Sequence, residues 1–398
     1  MVNDWLTELL YGIGNFFLNP LLYWAVLLTL FVSNRRIRKE RNNFGTKVFG
    51  FGKEWTGTWV LSLVFGLLLT AVSVGAGIVI APAVVLLVSA VTILLTLLLR
   101  FTWLSSAYIF GFSFLLALGA APYAADYLPN GWADDLAGLN WISFAIIMSI
   151  VMLAEAVLLL TTKQEDTLPE LVKGPRGRWI GQHRFRKLLF IPFFLLVPAG
   201  AIEAFAPWWP FFHLNGTSYG LLLVPLLTGI DGFAKGRPAF IEARKQGKMV
   251  LILALLTLGV SLASMYFYYF AIAAFIIALI GREAITLSFR NKDRKRAMYY
   301  TESSSGMFVL AVIPESPADR LGLLPGEQIE KVNGVRITTE RAFYEAVQSN
   351  SQYCKMEIRD EQGEIRIKQR AMYEGEPHEL GIIFVQEQHK KKAVPISS

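Results

Sequence analysis

The chain has 398 residues, 54% of them hydrophobic and only 17% charged, with a net charge of +7 and a mean hydropathy of +0.44. Soluble chains carry about 25% charged residues, so an ordinary soluble globular protein is excluded and an integral membrane protein is indicated. The basic residues cluster in short loops between apolar runs, an arrangement that points to membrane topology and not to nucleic acid.

In chain order, the opening Met1-Val-Asn-Asp-Trp lacks a basic start, and no small-residue cleavage site follows the first apolar run, so no signal peptide is apparent. Apolar runs then fall at 15–32, 59–80, 81–99, 101–122, 141–161, 188–207, 211–230 and 249–280. The last is too long for one span, and the YFYYF stretch at 266–270 reads as an interfacial aromatic belt between two short helices. At roughly 20 residues per span, the expected fold is an α-helical polytopic domain of about eight or nine spans over residues 1–290.

The loops set its orientation. RRIRKER at 35–41, the stretch 163–187, the stretch 235–248 and the run from Arg290 to Arg296 are rich in Lys and Arg. The loops at 124–140 and 208–218 have neither. The basic loops are expected in the cytoplasm, the N-terminus outside, and everything after residue 290 inside.

Few polar residues lie in the runs. Glu155 sits within one, where an ionisable group suggests function by default; the structural reading pairs it with a basic residue such as Arg100, or leaves it protonated. Asp231 and Glu203 lie near span ends. Zinc catalysis needs a pattern such as His-Glu-x-x-His. His183, His213, His378 and His389 do not supply it, and His378-Glu379 lacks the second histidine. No span holds a buried lysine for a Ser–Lys pair. The chain is therefore not expected to be an enzyme, and no cofactor or metal is expected. A transporter remains the alternative, because Gly66, Gly75, Gly77, Pro82, Pro192 and Pro225 interrupt the runs and broken helices can mark substrate sites.

A basic linker at 291–300 leads to a segment of different character. GMFVLAVIPESPADRLGLLPGEQIEKVNG at 306–334 begins as a strand. Ser316 and Pro317 then start a short helix, which Gly322 ends. A second strand at 328–332 turns at Asn333-Gly334. A helix opening at Thr338 and Thr339 puts Ala342, Phe343, Ala346 and Val347 on one face, and strands at 355–359 and 364–368 join at Gln362-Gly363. Cys354, the single cysteine, reads as a small core residue; a lone thiol allows no internal disulfide and no thiolate cluster.

This run resembles a bacterial PDZ domain, with Glu327 where Asp is common, a mild change at a turn. The resemblance implies a small α+β domain over 301–388, followed by a basic tail at 389–398. It also implies a circular order in which the hydrophobic-Gly-hydrophobic loop, Leu380-Gly381-Ile382, closes the domain. Such a domain adds a peptide strand to a sheet edge beside a helix. The groove is expected at Leu380, Gly381, Ile382 and Ile383 facing Phe343 and Val347, with Gly381 chosen for close approach of the peptide. Each of these apolar residues can equally be core.

With its spans, basic first loop and terminal PDZ-like domain, and with WLTELLYGIGNFFLNP at 5–20, the chain resembles the MinJ family of division-site topology proteins of Gram-positive rods. The resemblance implies an adaptor in the cell membrane at septum and poles, bridging DivIVA to the division inhibitor MinD. Hydropathy and spacing alone stop at a membrane anchor presenting a peptide-binding module.

Overall fold

A computed structural model of the chain describes residues 2–97, 101–124, 126–129, 131–174, 177, 179–212, 218–301, 305–350, 353–360, 362–371 and 380–385. The N-terminal part runs α1 (Val2–Phe16), α2 (Pro20–Phe44), α3 (Trp59–Ala76), α4 (Pro82–Leu97), α5 (Ser106–Ala124), α6 (Trp132–Ala137), α7 (Trp141–Leu160), β1 (Thr167–Lys173), β2 (Trp179–Glu203), β3 (Ser218–Ala234), α8 (Ala239–Ala263) and α9 (Phe270–Arg294). Local signals set several boundaries. Asn19 accepts the Leu21 N–H at 2.9 Å with Pro20 in the first helical position, so α2 starts afresh and bends by 42° from α1. Asn140 caps α7 through the N–H groups of Ile142 and Ser143. Apolar on every side, α7 is the buried central helix.

The expected eight or nine helical spans are corrected. Among the described residues, α3, α7, α8 and α9 are long and apolar enough to cross a membrane, and the bent α1–α2 pair brings the number to five. The runs at 81–99 and 101–122 give apolar helices shorter than a full span. Those at 188–207 and 211–230 are not helices at all. They pair as the antiparallel hairpin β2–β3, with Pro192 opposite Pro225. A helix interior would lose a hydrogen bond and meet a clash at each proline. In a strand whose N–H position faces outward, proline forfeits no ladder bond.

A hairpin among apolar helices has two outer edges whose polar groups need partners. Helix α3 covers the β2 edge: Thr70 Oγ1 accepts the Phe194 N–H at 3.0 Å, and Ser73 Oγ donates to Phe194 O at 2.5 Å. Just beyond α3, Ile80 N donates to Leu196 O at 2.9 Å. Small residues permit this approach, since a Cβ on Gly66 would stand 2.4 Å from Pro192 O and one on Gly12 of α1 would stand 2.6 Å from Leu221 O. Of the glycines that read as helix breaks, Gly66 is the one at which a helix closes on strand backbone; Gly75 faces open space, and Gly77 ends α3 at positive φ against Pro210.

Charged groups gather at one end of this part. Arg36 of α2 is held by Glu40 and Glu54, both at 2.9 Å, Asp231 takes both Arg184 and Arg186, Lys187 meets Asp166, and Arg296 meets Glu242. All four basic stretches singled out in the sequence contribute to this end. At the opposite end Trp141 stacks on Tyr268 at 4.8 Å, and Trp209 Nε1 donates to Val74 O. The α8–α9 turn at 264–269 lies there, with Tyr266, Phe267 and Tyr269 exposed.

The segment expected as a linker from 291 begins as the last turn of α9. The C-terminal domain then runs β4 (Met307–Val312), α10 (Pro317–Arg320), β5 (Gln328–Val332), β6 (Val335–Arg336), α11 (Glu340–Gln348), β7 (Tyr353–Arg359), β8 (Ile365–Ala371) and β9 (Ile382–Phe384). Its sheet order is β8-β7-β5-β4-β9, with β6 on β5. Ser316 and Thr339 cap their helices, and Asn333 and Gly334 both take positive φ at the β5–β6 turn. Cys354 is buried, and burial pushes its thiol up to about 11. Glu327 is also buried; it accepts the Leu324 N–H at 2.9 Å and pairs with Arg366, so it pins a turn to β8.

The two parts are packed together. Gly181 N donates to Tyr300 O at 3.1 Å, and a Cβ on Gly181 would lie 2.5 Å from Leu310 Cδ1. Leu310, Ile383 and Val385 share an apolar cluster with Val48, Phe49, Leu168 and Leu171. His183 lies in this junction with Nε2 2.8 Å from Leu310 O and Nδ1 2.8 Å from Thr167 Oγ1. A carbonyl only accepts, so Nε2 carries the proton.

Candidate functional site

Strand β9 is the terminal strand of its sheet, with one side on β4. The loop before it is tied inward by its carbonyls: Ala318 N donates to Leu380 O at 3.0 Å and Ile313 N to Gly381 O at 2.8 Å. In a trans peptide the N–H points opposite the C=O. The N–H groups of Gly381 and Ile382 are therefore turned away from these inward contacts. Two neighbouring main-chain donors at an open strand end form the kind of concavity that takes a carboxylate or an added strand.

Side chains alternate along β9. Leu380, Ile382 and Phe384 enter the domain core with Phe343 and Val347 of α11, and the Phe343 and Phe384 rings lie 5.0 Å apart, edge to face. Ile383 turns to the opposite face and packs at the junction with the N-terminal part. Five of the six expected groove residues are thus brought together, while Ile383 offers that edge only its backbone. Phe343 is fully buried and Val347 nearly so; the core reading applies to both. Gly381 has φ +80°, and a Cβ there would fall 2.4 Å from Ser316 Cβ. The glycine is thus demanded by the domain's own packing, whatever a peptide requires.

Sequence reasoning missed the contacts of Ser316 and Ile313 with the Gly381 loop. The Ser316-Pro317 signal gave the helix start; its contact with a loop 65 residues later has no local signature. Arg100, His213, His378, Glu379, His389 and the tail at 389–398 lie outside the described residues.

Glu155 has company the sequence did not indicate. Its carboxylate accepts from Ser105 Oγ at 2.6 Å and from Ser106 N, with Thr228 Oγ1 at 2.7 Å. Arg282 Nε in turn donates to Ser105 Oγ at 3.2 Å. The cluster joins α7, the start of α5, β3 and α9. Among the described residues no group of three or more His, Cys, Asp and Glu is placed to hold a metal ion.

Residues 308–359 match the PDZ domain family. Over 99% of both chains, the protein is 35% identical to the cell division topological determinant MinJ of Bacillus subtilis. The chain belongs to the MinJ family. A second relative, "Probable cell division topological determinant MinJ" of Lacticaseibacillus paracasei, is 24% identical over 93% of this chain and 97% of its own. MinJ-family membership and the PDZ domain together fit a protein whose work is to position division components through protein contacts, and the apolar helices fit a place in the membrane.

Proposed function

We propose that the protein is a membrane-anchored adaptor with no chemistry of its own, recruiting division proteins through the open edge of β9. The observation that carries this reading is the pair of outward N–H groups at Gly381 and Ile382 on a terminal strand beside α11. An extended segment of a partner would continue the sheet there, with specificity from side chains against α11. The charged end of the N-terminal part faces the cytoplasm, because four Lys/Arg-rich stretches converge on it, and the PDZ domain packed there is cytoplasmic too. The N-terminus lies outside. The partners are DivIVA and MinD, bridged at septum and poles. Confinement to the membrane raises the local concentration of the module, so weak contacts suffice.

Capture assays with the full chain and with a chain ending at residue 299 test this reading. Purified DivIVA and MinD are offered separately, and at least one should bind the full chain and not the truncated one. Equal capture of both by both forms would remove the PDZ domain from the mechanism. The transporter alternative leaned on glycines and prolines as helix breaks, whereas Pro192 and Pro225 pair within the β2–β3 hairpin and Gly66 packs α3 on Pro192.

A further inference from the structure

A crevice of about 260 Å³ opens where the charged half of α2 meets β1, β2 and the turn at 101–104. Its cationic lining is Arg35, Arg36, Lys39, Arg184 and Arg186, with Glu40 and Glu170 the acidic groups on its wall. Phe31, Val32 and Phe101 form the apolar side. Nothing in the adaptor reading uses this crevice.

The charges are not evenly matched. Arg36 is consumed by Glu40 and Glu54. Lys39 and Arg184 share Glu170, while Arg184 and Arg186 share Asp231. Arg35 is exposed and has no acidic partner among the described residues. Counted together, five cations face the four carboxylates of Glu40, Glu54, Glu170 and Asp231, and the surplus is the one positive charge that Arg35 leaves free at the surface. The donors are also held in place. Asp231 binds Nε and Nη2 of Arg186, whose guanidinium lies 4.3 Å from the Phe101 ring centre. A planar guanidinium fixed along one edge presents its other N–H groups in a set direction, which suits a phosphate.

Position decides what kind of phosphate. Leu27, Phe31 and Arg35 follow at i, i+4 and i+8, so they lie along one stripe of α2. Leu27 and Phe31 are half exposed, and the apolar face they belong to ends one turn before Arg35. An acyl chain would run along this stripe and deliver its headgroup to the cations. We propose that the crevice binds the phosphodiester of an anionic phospholipid, a contact that would anchor α2 and the base of the hairpin at the membrane surface.

Native mass spectrometry of the full-length, detergent-solubilised protein titrated with dioleoyl phosphatidylglycerol or dioleoyl phosphatidylcholine tests the site. One phosphatidylglycerol should be retained in preference to phosphatidylcholine. Arg35→Gln and Lys39→Gln should each weaken that retention by roughly fivefold, the effect of one cation near an anionic surface. Arg38→Gln removes the same charge from the same helix outside the crevice and should change nothing. Arg35 is exposed, so its variant should melt as the parent does, and the readout is not a folding defect. Equal loss in Arg38→Gln would overturn the site in favour of diffuse attraction. Displacement of the lipid by inorganic phosphate or glycerol 3-phosphate at matched concentration would overturn the lipid assignment in favour of a soluble anion.

Discussion

Two single residues carry consequences that their sequence neighbourhoods do not announce. Glu155 looks like an isolated acid in an apolar helix, and on that view Glu155→Gln is close to silent. Its oxygens instead take hydrogen bonds from Ser105, Ser106 and Thr228. An amide turns one acceptor into a donor and sets it against groups that already donate. Hydrogen bonds to a charged group contribute about 1.5–3 kcal/mol each, so Glu155→Gln should lower the melting temperature of the purified protein measurably, and Glu155→Ala should lower it further. Unchanged melting in both would show that the cluster is dispensable. At Gly381, φ of +80° and the Ser316 contact act together. Gly381→Ala should destabilise the PDZ domain by about 1–2 kcal/mol from the backbone conformation alone, with more from the clash, and Gly381→Val should exceed it. Amide exchange in β4 and β9 of the full chain reads this out.

At the scale of elements, His183 links β2 to β4. Burial pushes its imidazole down from 6.5 to about 4, outweighing the Leu310 carbonyl and the charge of Glu170, which push it up. The folded, packed state therefore favours the neutral ring. Its contribution is fully present above pH 6.5 and is lost as the pH falls toward 4, by on the order of 3 kcal/mol across that window. Packing of the PDZ domain on the sheet should loosen over the same range, seen as faster amide exchange at Leu310 and Ala311. His183→Gln should flatten the pH profile; an unaltered profile in that variant would assign the titration elsewhere. The elements also show what was legible. Within the PDZ domain, turn and cap residues act over three or four positions, and Ser316, Gly322, Asn333-Gly334 and Thr339 fix their elements locally. The β2–β3 hairpin is different. An apolar run of about 20 residues satisfies the description of a membrane helix equally well, and only the prolines at 192 and 225 argued against it. Pairing across some 30 residues, and edges closed by Gly12 and Gly66, are properties of the assembled fold that no single window of sequence contains.

At the scale of the whole molecule, the charged end, the PDZ domain and the open strand edge all lie on one side of the apolar layer. A phosphatase reporter that needs export, fused after Ser398, should therefore be inactive; activity would reverse the orientation. The same arrangement divides the labour of the chain. On the adaptor reading proposed above, the helices and hairpin hold it in the membrane, and β9 with α11 presents the contact site. Ending the chain at residue 299 removes that site, but it also uncovers Val48, Phe49, Leu168 and Leu171, which the PDZ domain covers. A truncated chain should consequently insert in the membrane yet melt at lower temperature, and stability must be measured beside partner capture. Phe343 and Val347 cannot serve as surgical probes of the proposed groove, since both are core residues and a polar replacement of either should destabilise the whole domain. A better probe is an added peptide that occupies the β9 edge. If the adaptor reading is right, that peptide should release a captured partner from the folded full chain without shifting its melting temperature downward. A peptide bound at β9 by amide-exchange protection, with the partner still held, would place the decisive contact on another surface.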